Sequence, residues 1–94
     1  MQKKKIENVF VIGKRWFDKV NGNTYHSVEI FIDGVMVKNI GMTYGYDDGY
    51  IQTAMEWLFE NGYVTEKYSP SRYFRENGIN FNSRAYDVSR KRDL

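Results

Sequence analysis

The sequence predicts an α+β domain in which an antiparallel sheet of three to four strands carries two helices on one face. The first half of the chain repeats its apolar residues with a period of two, which is typical of strands. After residue 47 the apolar residues recur with the period of a helix, and a second helix and a last strand follow. The predicted order of elements is therefore β-β-β-α-α-β.

Turn residues divide the first half into three strands. Asn21-Gly22 and Asp33-Gly34 separate alternating runs, and these residue types tolerate the positive φ angles of tight hairpin turns. The first strand has apolar residues on both faces, so we expect it to have neighbours or cover on both sides. The predicted strands are residues 8–18, 24–32 and 35–43.

The alternation of residues in the second strand predicts which face of the sheet lies against the core. By alternation His26, Val28, Ile30 and Ile32 share one face. The other face presents Tyr25, Ser27, Glu29 and Phe31. We expect the helices to cover the first of these two faces.

A helix over residues 48–61 is predicted by apolar positions with the spacing i, i+3, i+4 and i+7. Asp47 or Asp48 would cap its start, and Asn61-Gly62 would end it. Its apolar face consists of Ile51, Ala54, Met55 and Leu58, which we expect to pack against Val28, Ile30 and Ile32.

A second, shorter helix and a last strand complete the predicted fold. Ser69 and Pro70 suit the cap and the first position of a helix, and Asn77-Gly78 suits its end. Residues 79–90 then favour a strand, although several of them are weak strand formers.

Length and composition predict one soluble domain over residues 1–94. Ninety-four residues close a single small core, and the 41% hydrophobic and 17% aromatic content excludes a disordered chain. The absence of cysteine excludes disulfides and thiolate chemistry and suits a reducing compartment. The longest apolar run, residues 9–12, is too short to span a membrane or to form a signal peptide. We therefore expect a cytoplasmic protein.

Charge is segregated along the chain beneath a net charge of +2. Residues 26–66 contain Lys38 as their one Lys or Arg, whereas both ends of the chain are basic. The acids of this central part are Glu29, Asp33, Asp47, Asp48, Glu56, Glu60 and Glu66. Such a dipolar charge distribution indicates charged partners rather than a particular fold.

An acidic stripe on the first helix is the favoured partner-binding surface. Asp48, Gln52, Glu56 and Glu60 follow one another at intervals of four, and no Lys or Arg stands at i+4 to neutralise them. Tyrosines from the segment before the helix and from its first turn would act as aromatic anchors beside it. The predicted binding residues are Asp48, Glu56, Glu60, Tyr44, Tyr46 and Tyr50.

The basic ends predict an alternative, direct contact with nucleic acid. If the first and last strands are neighbours, their cations and those of the C terminus form one patch, with Tyr25 or Phe31 available for stacking. The residues of this alternative are Lys14, Arg15, Arg84, Arg90, Lys91 and Arg92.

Catalytic and metal sites are not predicted. His26 is the only histidine, and a structural hydrogen bond is the favoured role for a histidine without a partner in motif spacing. Asp47 and Asp48 with Glu56 suggest a Mg²⁺ site, but no lysine stands two residues after an acid, as nuclease sites of this kind commonly require. We expect no cofactor and no enzymatic activity.

Three short segments resemble small uncharacterised proteins encoded by bacteriophages and prophages. They are Trp16-Phe17, residues 22–27 (Gly-Asn-Thr-Tyr-His-Ser) and residues 44–46 (Tyr-Gly-Tyr) with Tyr50 four positions on. The resemblance covers about half of the chain and implies action inside a bacterial host cell; it supplies no catalytic residues.

Three functions follow as hypotheses. The first is a non-enzymatic phage protein that binds and inhibits or redirects a host nucleic-acid-processing or defence complex, as an anti-CRISPR protein does. The second is a small nucleic-acid-binding accessory protein that uses the basic ends. The third is a minor structural or homo-oligomeric phage component in contact through Tyr25, Phe31 and Phe17.

Overall fold

The computed structural model describes residues 6–45 and 48–94, and it contains the predicted elements in the predicted order. Four strands form one sheet in the order β3-β2-β1-β4. A single 3-10 turn, Lys91–Asp93, follows the last strand. The other elements are β1 (Asn8–Asp18), β2 (Asn23–Ile32), β3 (Val35–Tyr44), α1 (Gly49–Glu60), α2 (Pro70–Glu76) and β4 (Asn80–Val88).

The sheet is mixed, so the prediction of an antiparallel sheet is wrong for its last strand. β1, β2 and β3 form an antiparallel meander, but β4 runs parallel to β1, from Asn8 opposite Asn80 to Trp16 opposite Val88. The chain leaves β3 at one end of the sheet, and the two helices carry it back to the other end before β4 begins. The alternation of apolar residues predicts a strand but not its direction. The direction of β4 is determined by this crossover connection.

The two hairpin connections differ. Asp33 and Gly34 have φ angles of 49° and 83°, which is the geometry predicted for a two-residue primed turn. The first connection covers four residues, 19–22, and the Gly22 N–H donates to the Asp18 carbonyl oxygen at 2.7 Å. Gly22 has a φ of 70° but Asn21 does not have a positive φ, so Asn21-Gly22 is not the two-residue turn that was predicted.

One hydrophobic core lies between the sheet and the helices. α1 packs over β1 and β2 with Ala54, Met55 and Leu58 buried, which confirms the predicted apolar face; Ile51 is half-buried. α2 covers β4, where the rings of Phe74 and Phe81 stack at 4.8 Å. The largest buried side chains from the sheet are Val9, Val11, Val28, Ile30 and His26.

Both helices end as predicted, but neither begins with the predicted side-chain cap. At the end of α1, Gly62 has a φ of 78°, and the Tyr63 N–H donates to the Leu58 carbonyl oxygen at 2.9 Å. Gly78 ends α2 in the same way. Asp48 and Ser69 occupy the N-cap positions without a side-chain hydrogen bond, and Asp47 lies outside the described residues.

The two edge strands differ in regularity. The pairing of β3 with β2 shifts twice, between His26 and Val28 and between Ile30 and Phe31. The pairing of β4 with β1 is uninterrupted over its whole length. None of the described helices is long and apolar enough to cross a membrane.

Candidate functional site

A groove of about 250 Å³ lies between α1 and the edge strand β3. It exists because α1 packs over β1 and β2, so the inner face of β3 extends beyond the helix that covers its neighbours. The strand contributes Ile40 and Thr43, whose side chains point to the helix side of the sheet opposite Val28 and His26. The groove is lined by Ile40, Thr43, Thr53, Glu56, Trp57 and Glu60.

Two carboxylates of the predicted acidic stripe form the rim of this groove. Glu56 and Glu60 are both exposed, as are Asp48 and Gln52 further toward the start of the helix. No ion pair among the described residues involves Glu56 or Glu60. The exposed carboxylates therefore face solvent above a floor that is partly apolar.

Trp57 is the aromatic residue of the groove, and it was not among the predicted binding residues. Its ring stacks on Tyr63 with a centroid distance of 5.6 Å and an interplanar angle of 22°, so its orientation is fixed by packing. A signal for it exists in the sequence, because Thr53, Trp57 and Glu60 are spaced by four and three and therefore share one side of a helix.

His26 fixes the helix and the preceding loop beside the groove. The side chain is buried, with Nδ1 at 3.1 Å from the Gly45 carbonyl oxygen and Nε2 at 2.8 Å from Thr53 Oγ1. Because a carbonyl oxygen only accepts, Nδ1 donates to it, and the second hydrogen bond joins Nε2 to the threonine hydroxyl. This is the structural role predicted for the histidine, a hydrogen bond to a neighbouring carbonyl.

The predicted tyrosine anchors do not gather at the acidic stripe. Tyr50 is only 4% exposed and packs in the core against Gly13, so the prediction that it binds a partner is wrong. Tyr44 is 62% exposed, but it contacts Tyr25 on the opposite side of the sheet from the helices. Tyr46 lies outside the described residues.

The cations of the basic ends do not all lie on one face, although β1 and β4 are neighbours as that prediction required. Adjacent residues of a strand point to opposite faces, so Lys14 lies on the open face of the sheet and Arg15 on the helix side. Arg15 Nε donates to Asp87 at 2.9 Å, and Arg90 Nε lies 3.9 Å from Asp93. Lys91 and Arg92 are exposed.

The open face of the sheet carries a row of aromatic rings. Trp16 and Tyr25 stack at 6.0 Å, and Tyr25 meets Tyr44 edge to face at 5.7 Å. Phe17 is 53% exposed and lies opposite Thr24, so its predicted place beside Tyr25 and Phe31 is wrong and Trp16 occupies it.

The C-terminal segment crosses part of the open face. By alternation Met42 shares this face with Tyr44, and it lines one shallow depression together with Lys91, Arg92 and Leu94. β4 and β3 are opposite edges of the sheet, so the segment extends from one edge toward the other. Cations of the C terminus thereby come to the side of the sheet that carries Trp16, Tyr25 and Tyr44.

Within residues 6–45 and 48–94, no group of three or more His, Cys, Asp or Glu side chains is placed to hold a metal ion. Asp47, one of the three residues considered for a Mg²⁺ site, lies outside these ranges.

Comparisons with known proteins add no family to this description. No protein-family model matches the chain, and no curated protein or solved structure matches it significantly.

Proposed function

We propose that this protein is a non-enzymatic binding protein whose groove between α1 and β3 receives a basic segment of a protein partner. The observation that carries the proposal is the pair of exposed carboxylates, Glu56 and Glu60, on the rim of a groove that also contains Trp57. A cationic side chain above an aromatic ring and beside a carboxylate gains both electrostatic and cation–π attraction.

Stability does not account for this arrangement. Placing Lys or Arg at i+4 would stabilise an exposed helix by a few tenths of a kcal/mol per pair, and α1 has none on this stripe. Trp57 is already oriented by Tyr63, so little side-chain entropy is lost when a partner covers it. The groove thus combines a prearranged ring with unpaired negative charge.

The partner class follows from charge. Proteins that process nucleic acids present basic surfaces to phosphates, and a basic segment of such a surface can enter a groove whose rim carries carboxylates. With the resemblance to phage and prophage proteins, this favours a host nucleic-acid-processing or defence complex, inhibited or redirected in the manner of an anti-CRISPR protein. The site of action is then the cytoplasm of the bacterial host.

Charge reversal on the rim tests the proposal. Glu56→Lys with Glu60→Lys should abolish capture of partner proteins from a bacterial lysate, while the far-UV spectrum and the unfolding midpoint change little because both residues are exposed. Glu76→Lys, on the exposed end of α2, is the control for a charge reversal away from the groove and should retain the partners. Identical partner sets from both variants would exclude the groove as the binding site.

A second function, binding of single-stranded nucleic acid, is favoured by one observation on the open face. Lys14 and Arg84 share that face with Trp16 and Tyr25, and the exposed cations Lys91 and Arg92 lie toward the same side. Bases stack on aromatic rings without strong sequence preference, and nearby cations neutralise phosphates.

Salt dependence distinguishes the two functions. Changing Arg90, Lys91 and Arg92 to Ser should weaken binding to a fluorescent single-stranded oligonucleotide and flatten the salt slope, by roughly 0.7 for each phosphate that the protein no longer neutralises. Lys19→Ser, in the first hairpin loop, is the control for net charge. If Lys19→Ser weakened oligonucleotide binding as much per charge removed as the triple change at residues 90–92, the binding would be non-specific electrostatic attraction only.

A further inference from the structure

The outer edge of β4 is a long strand edge with neither a bulge nor a proline to limit pairing, although it carries the charged residues Arg84 and Asp87. Its register with β1 has no bulge, it contains no proline, and no described strand pairs with its other side. By contrast, β3 carries two register shifts, and bulges of this kind limit pairing at an edge. The two edges of the sheet are therefore unequal, and β4 is the one open to a further strand.

The backbone groups that point outward from β4 can be identified. The Asn80 N–H donates to the Glu7 carbonyl oxygen at 2.9 Å, so Asn80 directs its backbone groups toward β1. In a parallel pair the direction alternates along the strand, and the odd-numbered residues direct their N–H and C=O groups away from the sheet. These residues are Phe81, Ser83, Ala85 and Asp87.

We propose that two copies of this protein pair through β4, antiparallel about a two-fold axis at Ala85, to form one continuous eight-stranded sheet. The side chains favour this register over the one with its axis at Arg84. An axis at Arg84 would set two guanidinium groups opposite each other, which is unfavourable. An axis at Ala85 instead sets each Arg84 opposite Tyr86 of the second copy, a cation–π pair, and each Ser83 opposite Asp87.

A second copy fits this edge better than an unrelated peptide because the strand is complementary to itself in that register. Ser83, Ala85 and Asp87 of each copy exchange both of their backbone hydrogen bonds with Asp87, Ala85 and Ser83 of the other. Closed two-fold pairing of this kind satisfies both edges at once and leaves no β4 edge free for further growth.

Single cysteines test the register directly, because the chain contains no cysteine of its own. Residues opposite each other in a hydrogen-bonded antiparallel pair have Cα atoms about 5.5 Å apart, which is within the range that a disulfide spans. Ala85→Cys should therefore form a disulfide-linked dimer on mild oxidation. Arg84→Cys should not, since its two copies would stand two residues out of register. Cross-linking of Arg84→Cys in preference to Ala85→Cys would overturn the proposed axis.

A proline pair tests the dimer itself. Ala85→Pro removes only an outward N–H, so the monomer should fold while the mass by light scattering falls from that of two chains to that of one. Arg84→Pro removes an N–H directed at β1 and should lower the unfolding midpoint as well. A wild-type protein that is monomeric by light scattering, or an Ala85→Pro variant that remains dimeric, would refute pairing through β4.

Discussion

The two faces of the sheet are built from equally alternating strands, yet they have different roles. On the face covered by the helices, Val11, Val28 and Ile30 are fully buried. On the open face, Phe10 and Phe31 lie 6.0 Å apart and Trp16 and Tyr25 likewise, but all four rings are only half-buried. Large apolar side chains therefore occur on both faces, but only those on the covered face are fully buried.

This difference in burial indicates which residues can be changed to alter binding without a large loss of stability. Removing a fully buried side chain leaves a cavity that the surrounding structure cannot fill, whereas a half-buried ring is partly replaced by water. Residues on the open face and at the rim of the groove can therefore be substituted to suit a binding partner at a small cost in stability. Substitutions on the two faces test this expectation.

The largest effect is expected from Leu58 in α1, which is fully buried against the covered face. Leu58→Ala should lower the free energy of unfolding by about 2–5 kcal/mol, measured by urea denaturation. Phe31→Ala, on the open face, is the comparison and should cost less although it removes more atoms. An equal or larger loss for Phe31→Ala would mean that the open face is covered in solution.

A smaller effect is expected from Gly13 in β1, where there is no space for a side chain. A Cβ there would overlap the ring of Tyr50, so Gly13→Ala should destabilise the protein by about 1–3 kcal/mol through overpacking. Gly41, in β3, has nothing within 4 Å of the same position, and Gly41→Ala should be neutral or slightly stabilising. Thermal unfolding of the two variants measures the contrast, and a neutral Gly13→Ala would show that Tyr50 can leave the core easily.

The smallest effect concerns Asp18, a partly exposed group at the end of β1. Hydrogen bonds lower its pKa, chiefly that from the Asn21 side chain at 2.8 Å and also those from the Asn21 and Val20 N–H groups. A carboxylate with a lowered pKa stabilises the fold above its unfolded pKa, about 3.9, and this contribution is lost as the pH falls through the lowered folded value. The wild-type protein should therefore lose part of its free energy of unfolding as the pH falls from neutral to below about 3.9. Asp18→Asn should lose less over the same pH interval. The same pH dependence of the unfolding midpoint in Asp18→Asn and in the wild-type protein would contradict this role of the Asp18 carboxylate.

Most of the fold could be predicted because local signals agree with the final structure. β1 has its predicted bounds, and the glycines that end α1 and α2 were recognised in the sequence. The direction of β4 could not be predicted, since it depends on the path of the two helices and not on its own residues.

The candidate site was predicted in part. The spacing of Glu56 and Glu60 indicated an exposed stripe, and both residues lie on the groove. The groove itself depends on how far α1 lies from β3, a tertiary distance that helical spacing does not contain. Tyr50 was misassigned because a tyrosine can serve as an anchor or as core, and only the missing Cβ of Gly13 provides the space that buries it.

The parallel pairing of β1 with β4 also sets the order in which the chain can fold. The contact between Asn8 and Asn80 joins residues 72 positions apart, whereas the β1–β2 and β2–β3 hairpins are local. During synthesis β1 emerges before the other strands and β4 emerges after them, so the first strand keeps one unpaired edge until residues 80–88 are made. Docking of β4 is consequently the step with the greatest loop-closure entropy, and truncation just before residue 80 should leave a species that has formed its meander but aggregates through β1.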